Sequence, residues 1–216
     1  GSRVSDPSDT LANSKGLYID IYALHAKARV AFKAFLTSFS DNFDTGLDVT
    51  TFVGHPEPVR KMRSVDRQIQ IGLDLIAHST YQAKRNLEDL SLLVKMIYPV
   101  METADQAAGV KRAHVKSGGD PLFKVKFKNL ITGPGVDPKG AALTDGLKGY
   151  IGNINYNFDL NSGFLTDPND EDVYLYPQLI QLGFSFYPFN EISPGWEAGN
   201  DGQGRGKYTF KRANYP

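Results

Sequence analysis

The chain has 216 residues, and its 24 basic and 24 acidic side chains give a formal net charge of zero. This balance excludes the overall positive field that drives non-specific nucleic-acid binding. The absence of cysteine excludes disulfide bonds, thiolate metal sites and cysteine nucleophiles. No apolar run reaches about 18 residues, so a membrane-spanning helix is not expected, and the polar start of the chain does not resemble a signal peptide.

Composition divides the chain into three predicted parts. Residues 1–16 carry almost no apolar side chains, which predicts an arm that orders only on a partner. Residues 17–190 are predicted to form one mainly β domain with a single helix at 79–98. Residues 191–216 are rich in glycine and are predicted to be an extension that forms no core element of its own.

The first half of the domain is predicted to hold three strands and an excursion from the sheet. Apolar and polar residues alternate at 17–22 and at 67–75, and the run at 30–39 is rich in β-prone residues. Between the strands predicted at 30–39 and 67–75, residues 41–65 mix turn residues and two prolines around a short β-like piece. We expect this segment to leave the sheet, because proline cannot complete a central strand.

A helix is predicted to begin after Ser79. Ser79 and Gln82 have capping-box spacing, in which the serine oxygen accepts a hydrogen bond from the Gln82 N–H and the glutamine reaches back. Tyr98 and Pro99 are expected to end the helix. The predicted inward stripe has spacings of three and four residues and consists of Ala83, Leu87, Leu90, Val94 and Ile97. A further short helix is predicted at 102–108.

The second half is predicted to contain three strongly alternating strands, at 122–128, 149–159 and 178–186. A loop rich in glycine and proline and an acidic loop separate them. Period-two alternation indicates strands with one buried face and one polar face. We therefore expect these strands to build the sheet.

A row of lysines, Lys124, Lys126 and Lys128, alternates with apolar residues in the first of these strands. The three side chains are expected to share the outward face. Such a row could meet an anionic partner, such as nucleic acid or an acidic neighbouring subunit. It could equally be a solvated face, or a device that protects an edge strand from unwanted pairing. The solvated face is the simpler interpretation.

No pattern in the chain predicts a catalytic, cofactor or metal site. The acidic loop at 167–172 offers the carboxylates that calcium prefers, but it lacks the ligand spacing of a helix-flanked calcium loop. The histidines have no mutual metal-ligand spacing. The glycine-rich segment 202–207 neither follows a strand nor opens a helix, as a phosphate-binding loop does. The chain is therefore expected not to be an enzyme.

The order of these elements resembles the tail-tube-like domain of phage baseplate hub and tube-initiator proteins. The segments that carry the resemblance are VAFKAFLTSFSDNF, VRKMRSVDRQIQIGLDLIA, PLFKVKFKNLI, KGYIGNINYNFDLNSGFL and LYPQLIQLGFSFYPF. It covers residues 17–190, and its closing motifs lie at 149–158 and 176–186. The resemblance implies an antiparallel β-sandwich or split barrel with extended loops, terminal arms and one flanking helix. It also implies a noncatalytic structural subunit of a phage tail or baseplate.

The resemblance further implies partners and a location. Subunits of that family form six-membered rings around a channel for DNA and the tape-measure protein, so a homo-hexamer beside other tail tube, hub or baseplate proteins is expected. The expected location is the virion, assembled in the host cytoplasm, without membrane insertion. The segment 41–65 would lie on a neighbouring subunit. The contacts expected between subunits or rings are Phe52, His55, Arg60, Lys61, Arg63, Trp196, Tyr208 and Phe210.

Two other functions stay open. A glycan-binding or wall-degrading module of the same tail machine is suggested by the 11 tyrosines, by Trp196 and by the acids Asp170, Glu171 and Asp172. Aromatic rings can stack on sugars, but adjacent acids on one loop do not place carboxylates on both sides of a scissile bond. The second alternative, a DNA-binding protein, is supported by the lysine row alone.

Overall fold

The computed structural model describes most of residues 17–99 and three later stretches of the domain. Side chains are described at 17–33, 35–54, 57–99, 121–133, 141–166 and 174–189, and the backbone alone at 101–103, 113–115, 195–200 and 206–211. In chain order the strands and helices of these residues are β1 Tyr18–Ala23, β2 Ala28–Lys33, β3 Leu36–Thr50, β4 Val59–Ile76, α1 Thr80–Met96, β5 Met101–Thr103, β6 Ala113–Val115, β7 Leu122–Lys126, α2 Ala142–Asp145, β8 Leu147–Phe158, β9 Phe164–Thr166, β10 Leu175–Pro177, β11 Leu179–Pro188, β12 Gly195–Asn200 and β13 Gly206–Lys211.

The main sheet has seven antiparallel strands in the order β2-β1-β7-β8-β11-β4-β3. The prediction of a mainly β, antiparallel domain with a flanking helix is confirmed. Three two-stranded ribbons accompany the sheet, formed by β5 with β6, β9 with β10, and β12 with β13. Neither helix of the described residues has the length and apolar character needed to cross a membrane.

The two edge strands of the sheet, β2 and β3, are consecutive in the chain. Only residues 34 and 35 separate them, and this connection spans about 10 Å at most. The opposite edges therefore approach each other at one corner, and the sheet curls around its core. No ladder joins β2 to β3 within the described residues, so the sheet is not a closed barrel. The prediction of one strand at 30–39 is wrong, because the chain turns at this corner, where the Phe35 N–H donates to Lys33 O at 3.0 Å.

One core cluster collects the inward side chains of the sheet and of α1. Its members from the strands include Ile19, Ile71, Phe123, Leu182 and Phe186, each no more than 2% exposed. On α1 the buried side chains are Ala83, Leu90, Leu93 and Met96, whereas Leu87, Val94 and Ile97 of the predicted stripe are only partly buried. The predicted stripe therefore names only part of the buried face. A helix face wide enough to cover a curled sheet also includes neighbouring positions, here Leu93 and Met96.

The cap of α1 has the predicted chemistry with one change of partner. Ser79 Oγ accepts from the Gln82 N–H at 3.3 Å, and Gln82 Oε1 accepts from the N–H of His78 at 2.9 Å. The helix ends at Met96, just before Tyr98 and Pro99 as predicted. The side chain of Gln82 therefore satisfies a donor one residue before the expected one.

Several other predictions differ from the structure or lie outside the described residues. The excursion at 41–65 is a continuation of the sheet, because β3 and β4 stay paired from Leu36 and Leu73 out to Thr50 and Val59. The start of the predicted helix at 102–108 lies in β5, and its remainder lies outside the described residues. The glycine-rich extension contains the β12–β13 ribbon. The arm 1–16 and the acidic loop lie outside the described residues.

Candidate functional site

The distal half of the β3–β4 hairpin extends past the core of the domain. We call residues 43–50 and 59–66 the hairpin arm. Within the described residues its strands pair only with each other, because β11, the other neighbour of β4, pairs with β4 only from Ile69 to Ile76. The side chains on both faces of the arm are exposed, and a two-stranded ribbon of this kind needs packing on one face to be stable in water.

The two faces of the arm differ in chemistry. Cross-strand partners share a face, so the register assigns every side chain to one side. The inward face of the core sheet continues along the arm through the apolar residues Phe43, Leu47, Val49, Met62 and Val65. The opposite face carries Asp44, Asp48, Lys61, Ser64 and Asp66, with Val59 as its one large apolar side chain. The arm is therefore amphipathic, and the large side chains of its apolar face remain about half exposed.

A β-bulge determines which side chains of β4 lie on each face of the arm. Gly46 pairs with Ser64 while Leu47 pairs with Met62, so Arg63 is an extra residue on β4. Without this bulge Arg63 would face the apolar side, opposite Leu47, and Met62 would face the polar side. With it, Arg63 binds Asp48 on the polar side, where Arg63 Nε donates to Asp48 Oδ2 at 3.1 Å. The bulge therefore places Met62 on the apolar face and Arg63 on the polar face, and it also turns Arg60 toward the apolar face and Val59 toward the polar face.

The apolar face of the arm is substantially exposed. Phe43 and Val65 are 45% and 48% exposed, and Leu47, Val49 and Met62 are 53%, 56% and 60% exposed. Single exposed apolar residues are ordinary on a protein surface, but a contiguous set on one face marks an interaction surface. Phe52 at the tip is also more than half exposed.

An ion pair lies where the arm leaves the core. Arg67 and Asp41 face inward, and Arg67 Nε donates to Asp41 Oδ1 at 2.9 Å. Their side chains are only 9% and 13% exposed, and the guanidinium of Arg67 stacks over the Phe43 ring at 5.2 Å. The charges are thus shielded from water by the core on one side and by the arm on the other. This pair marks the end of the core and the beginning of the open surface.

The residues that were predicted as contacts divide between the arm and the C-terminal ribbon. Arg60, Lys61 and Arg63 lie on the exposed arm, Arg60 on its apolar face and the other two on its polar face, and Phe52 lies at its tip. His55 lies outside the described residues. Trp196 pairs in register with Phe210, and Tyr208 pairs with Ala198, but the side chains of this ribbon are not described.

The lysine row does not form a continuous solvated surface, which corrects the expectation for this face. Lys126 is only 3% exposed and forms an ion pair with Asp145, with Nζ 3.7 Å from Oδ2. Lys124 Nζ donates to the backbone oxygen of Leu143 at 2.8 Å. Lys128 follows the strand in a turn with a φ of 49°. The short helix α2, which the sequence pattern did not indicate, covers this part of the outer face.

A second buried charge completes this covered region. Asp20 is the cross-strand partner of Lys126 on the outer face and is 7% exposed. Its Oδ1 accepts from Arg29 Nε at 2.7 Å, and its Oδ2 accepts from the N–H of Ala142 at 2.9 Å. The hydrogen bond to Asp20 raises the pKa of Arg29, against the opposing effect of partial burial. The charges here stabilise the fold and are not offered to a partner.

Sequence analysis missed the surface that the structure makes most prominent. Leu47, Val49, Met62 and Val65 lie in the segment expected to leave the sheet, and none was named as a contact. The alternation of Leu47 and Val49 with polar residues was a signal, but the bulge at Arg63 breaks the matching alternation on β4.

Among the described residues, no group of three or more histidine, aspartate or glutamate side chains could hold a metal ion. No protein-family model and no curated protein matches this chain.

Proposed function

We propose that the chain is a noncatalytic structural subunit of a phage tail or baseplate, and that copies of it assemble into a ring through the hairpin arm. The observation that carries this proposal is the amphipathic arm with its uncovered apolar face. The curled antiparallel sheet with a long hairpin and a flanking helix supports a domain of tail-tube type. The proposed ring has six members and surrounds the channel through which DNA and the tape-measure protein pass.

The energetics of the arm favour a permanent partner. Complete burial of an aliphatic or aromatic side chain contributes about 2 kcal/mol, and five side chains of the apolar face are about half exposed. Covering them therefore contributes about 5 kcal/mol for each arm. An exposed two-stranded ribbon of this kind is also an aggregation hazard, which a specific partner removes.

The position of the arm at one edge of the sheet is compatible with a ring. The arm projects from one edge of the sheet, and in the proposed ring it docks on a different surface of the next copy. Such a head-to-tail contact repeats from copy to copy, and it closes into a ring when the rotation between copies allows. Other tail tube, hub or baseplate proteins would then stack on the ring.

Native mass spectrometry and negative-stain electron microscopy of the purified chain test the proposal. We expect hexamers and ring-shaped particles. The variant Leu47→Asp places a charge on the apolar face and should shift the population to monomers. Val59→Asp is the matched control, because Val59 is 51% exposed on the same arm but lies on the polar face.

Chains that remain monomeric at every concentration, also with tail tube or hub proteins present, would contradict the proposal. Equal assembly of the Leu47→Asp variant and the original chain would contradict the role of the arm. In that case a ring could persist, but a different surface would hold it together.

A further inference from the structure

The outer face of β3, β4, β8 and β11 carries little charge in its central part, between the charged hairpin arm and Lys148 on one side and the cross-strand pair of Asp74 and Gln181 on the other. Its outward positions are Ser38, Ser40, Asn42, Gln68, Gln70, Gly72, Asp74, Tyr150, Gly152, Asn153, Asn155, Asn157, Gln181, Gly183, Ser185 and Tyr187. We call this set the amide face. Asp74 is its one charged side chain, although 22% of the chain is charged. Exposed faces usually carry lysine and glutamate, so this composition requires a separate reason.

A tyrosine ring packs against this face. Tyr187 packs over Gly152, where a Cβ atom would stand 2.6 Å from the ring carbon Cε2. Gln68 Nε2 donates to the Tyr187 hydroxyl at 3.0 Å, which holds the ring in place. Tyr187 is 40% exposed, and its cross-strand partner Tyr150 is 42% exposed. The Tyr187 ring therefore contacts the Gly152 position and keeps 40% of its residue surface available to a ligand.

A cleft lies on the same face, farther along the same strands. It is open, has a volume of about 370 Å³, and lies over Gly183 between Thr37, Asp74, Asn155, Asn157 and Gln181. A side chain at Gly183 would fill this space, because its Cβ would stand 2.4 Å from Asn155 Oδ1. Gln181 lies six positions before Tyr187 along β11, which corresponds to about 20 Å.

We propose that the amide face binds a neutral, linear oligosaccharide, with one sugar ring stacked on Tyr187 and the chain running toward the cleft at Gly183. Aromatic rings offer an apolar surface to the C–H groups of a sugar ring, and amide and hydroxyl side chains both donate to and accept from sugar hydroxyls. A nucleic acid would need a row of cations along its phosphates, whereas the amide face contains none and Lys148 at its border lies over the Phe189 ring. The proposed glycan site lies opposite the apolar face of the hairpin arm and does not depend on assembly through that arm.

Titration of the full chain with cellohexaose, maltohexaose and hexa-N-acetylchitohexaose tests the proposal, by calorimetry and by the amide shifts of isotope-labelled protein. We expect at least one of them to bind with a Kd of about 1 mM or tighter and to shift the signals of Gly152 and Tyr187. Tyr187→Ala should weaken this binding about tenfold. Tyr81→Ala is the matched control, since Tyr81 is 74% exposed on α1, away from the amide face.

A second variant protects the test against loss of folding. Asn157→Arg changes an exposed position and fills the cleft, so it should also weaken binding while the core stays intact. The proposal is overturned if none of the three oligosaccharides binds at about 10 mM, or if binding is unchanged in both variants. It is also overturned if a thymidine oligonucleotide, and no sugar, binds in a manner that requires Tyr187.

Discussion

The outer face at β7 and the hairpin arm of β3 and β4 both come from alternating sequence, yet the fold treats them in opposite ways. At β7 the polar side chains that point outward are covered by α2, and Lys126 is paired and almost fully buried. On the arm the apolar side chains that continue the inward face, such as Leu47, remain open. Alternation therefore predicts which side chains share a face, but it does not predict which face is covered. Coverage depends on distant segments of the chain.

Among the charged positions, the largest expected effect on stability is in the covered region. Asp20→Ala removes the acceptor of two hydrogen bonds and the charge beside Lys126, so it should lower the free energy of unfolding by about 3 kcal/mol. Urea unfolding measures this change. Asp44→Ala on the arm is the control and should change the free energy by less than about 0.5 kcal/mol, because Asp44 is exposed opposite Asp66. Equal effects of the two variants would remove the distinction between the regions.

The junction between core and arm should give an intermediate effect. Arg67→Ala leaves the shielded carboxylate of Asp41 without its partner and should cost about 2 kcal/mol in the same unfolding measurement. The matched control is Arg63→Ala, which breaks the exposed pair with Asp48 and should cost at most about 0.5 kcal/mol. Equal stability of the two arginine variants would show that the core does not end at Arg67 and Asp41.

Apolar truncation on the arm should have a small effect on the isolated chain. Leu47→Ala should lower the free energy of unfolding of dilute, unassembled protein by less than about 0.5 kcal/mol, because the side chain is already half exposed. Leu73→Ala, on the same hairpin but 1% exposed, should cost about 3 kcal/mol. A loss of similar size at Leu47 would mean that the arm packs against its own domain.

The smallest expected effect is on a titration and not on stability. The hydrogen bond from the Ser162 hydroxyl, helped by the N–H of Asn161, lowers the pKa of Asp159 in the exposed turn after β8. Ser162→Ala should therefore raise this pKa toward its ordinary value. The lowered pKa favours the folded state above the ordinary pKa, and this contribution is lost as the pH falls. An NMR titration of Asp159 measures the change, with Ser64→Ala on the arm as the variant that should leave the titration as it was.

Local sequence signals predicted the sheet and the helix where neighbouring residues alone decide the structure. The cap at Ser79, the end of the helix before Pro99 and the strand at 67–75 depend on such signals. The break between β2 and β3 was missed because the 30–39 run is β-prone throughout, and only the closure of the curled sheet makes it turn. The covering of Lys126 was missed because its partner Asp145 belongs to a short helix within a predicted loop.

The candidate surfaces were predictable only in part, for a related reason. The segment 41–65 was expected to meet a neighbour, but its apolar face depends on the bulge at Arg63, which period-two reasoning cannot place. The amide face depends on strands from three separate parts of the chain, so Gln68 and Tyr187 come together only after folding. A pattern within one segment carries no information about contacts between segments that are distant in the chain.

Thiol labelling tests most directly whether the apolar face of the arm joins one copy to the next. The chain has no cysteine, so Met62→Cys and Val59→Cys each create one reactive thiol, on the apolar and on the polar face of the arm. We predict that assembly slows the modification of the Met62→Cys thiol at least about tenfold relative to dilute monomer, because docking removes it from water. The Val59→Cys thiol should react at the same rate in both states. Equal and unchanged rates at both positions in assembled protein would contradict the account.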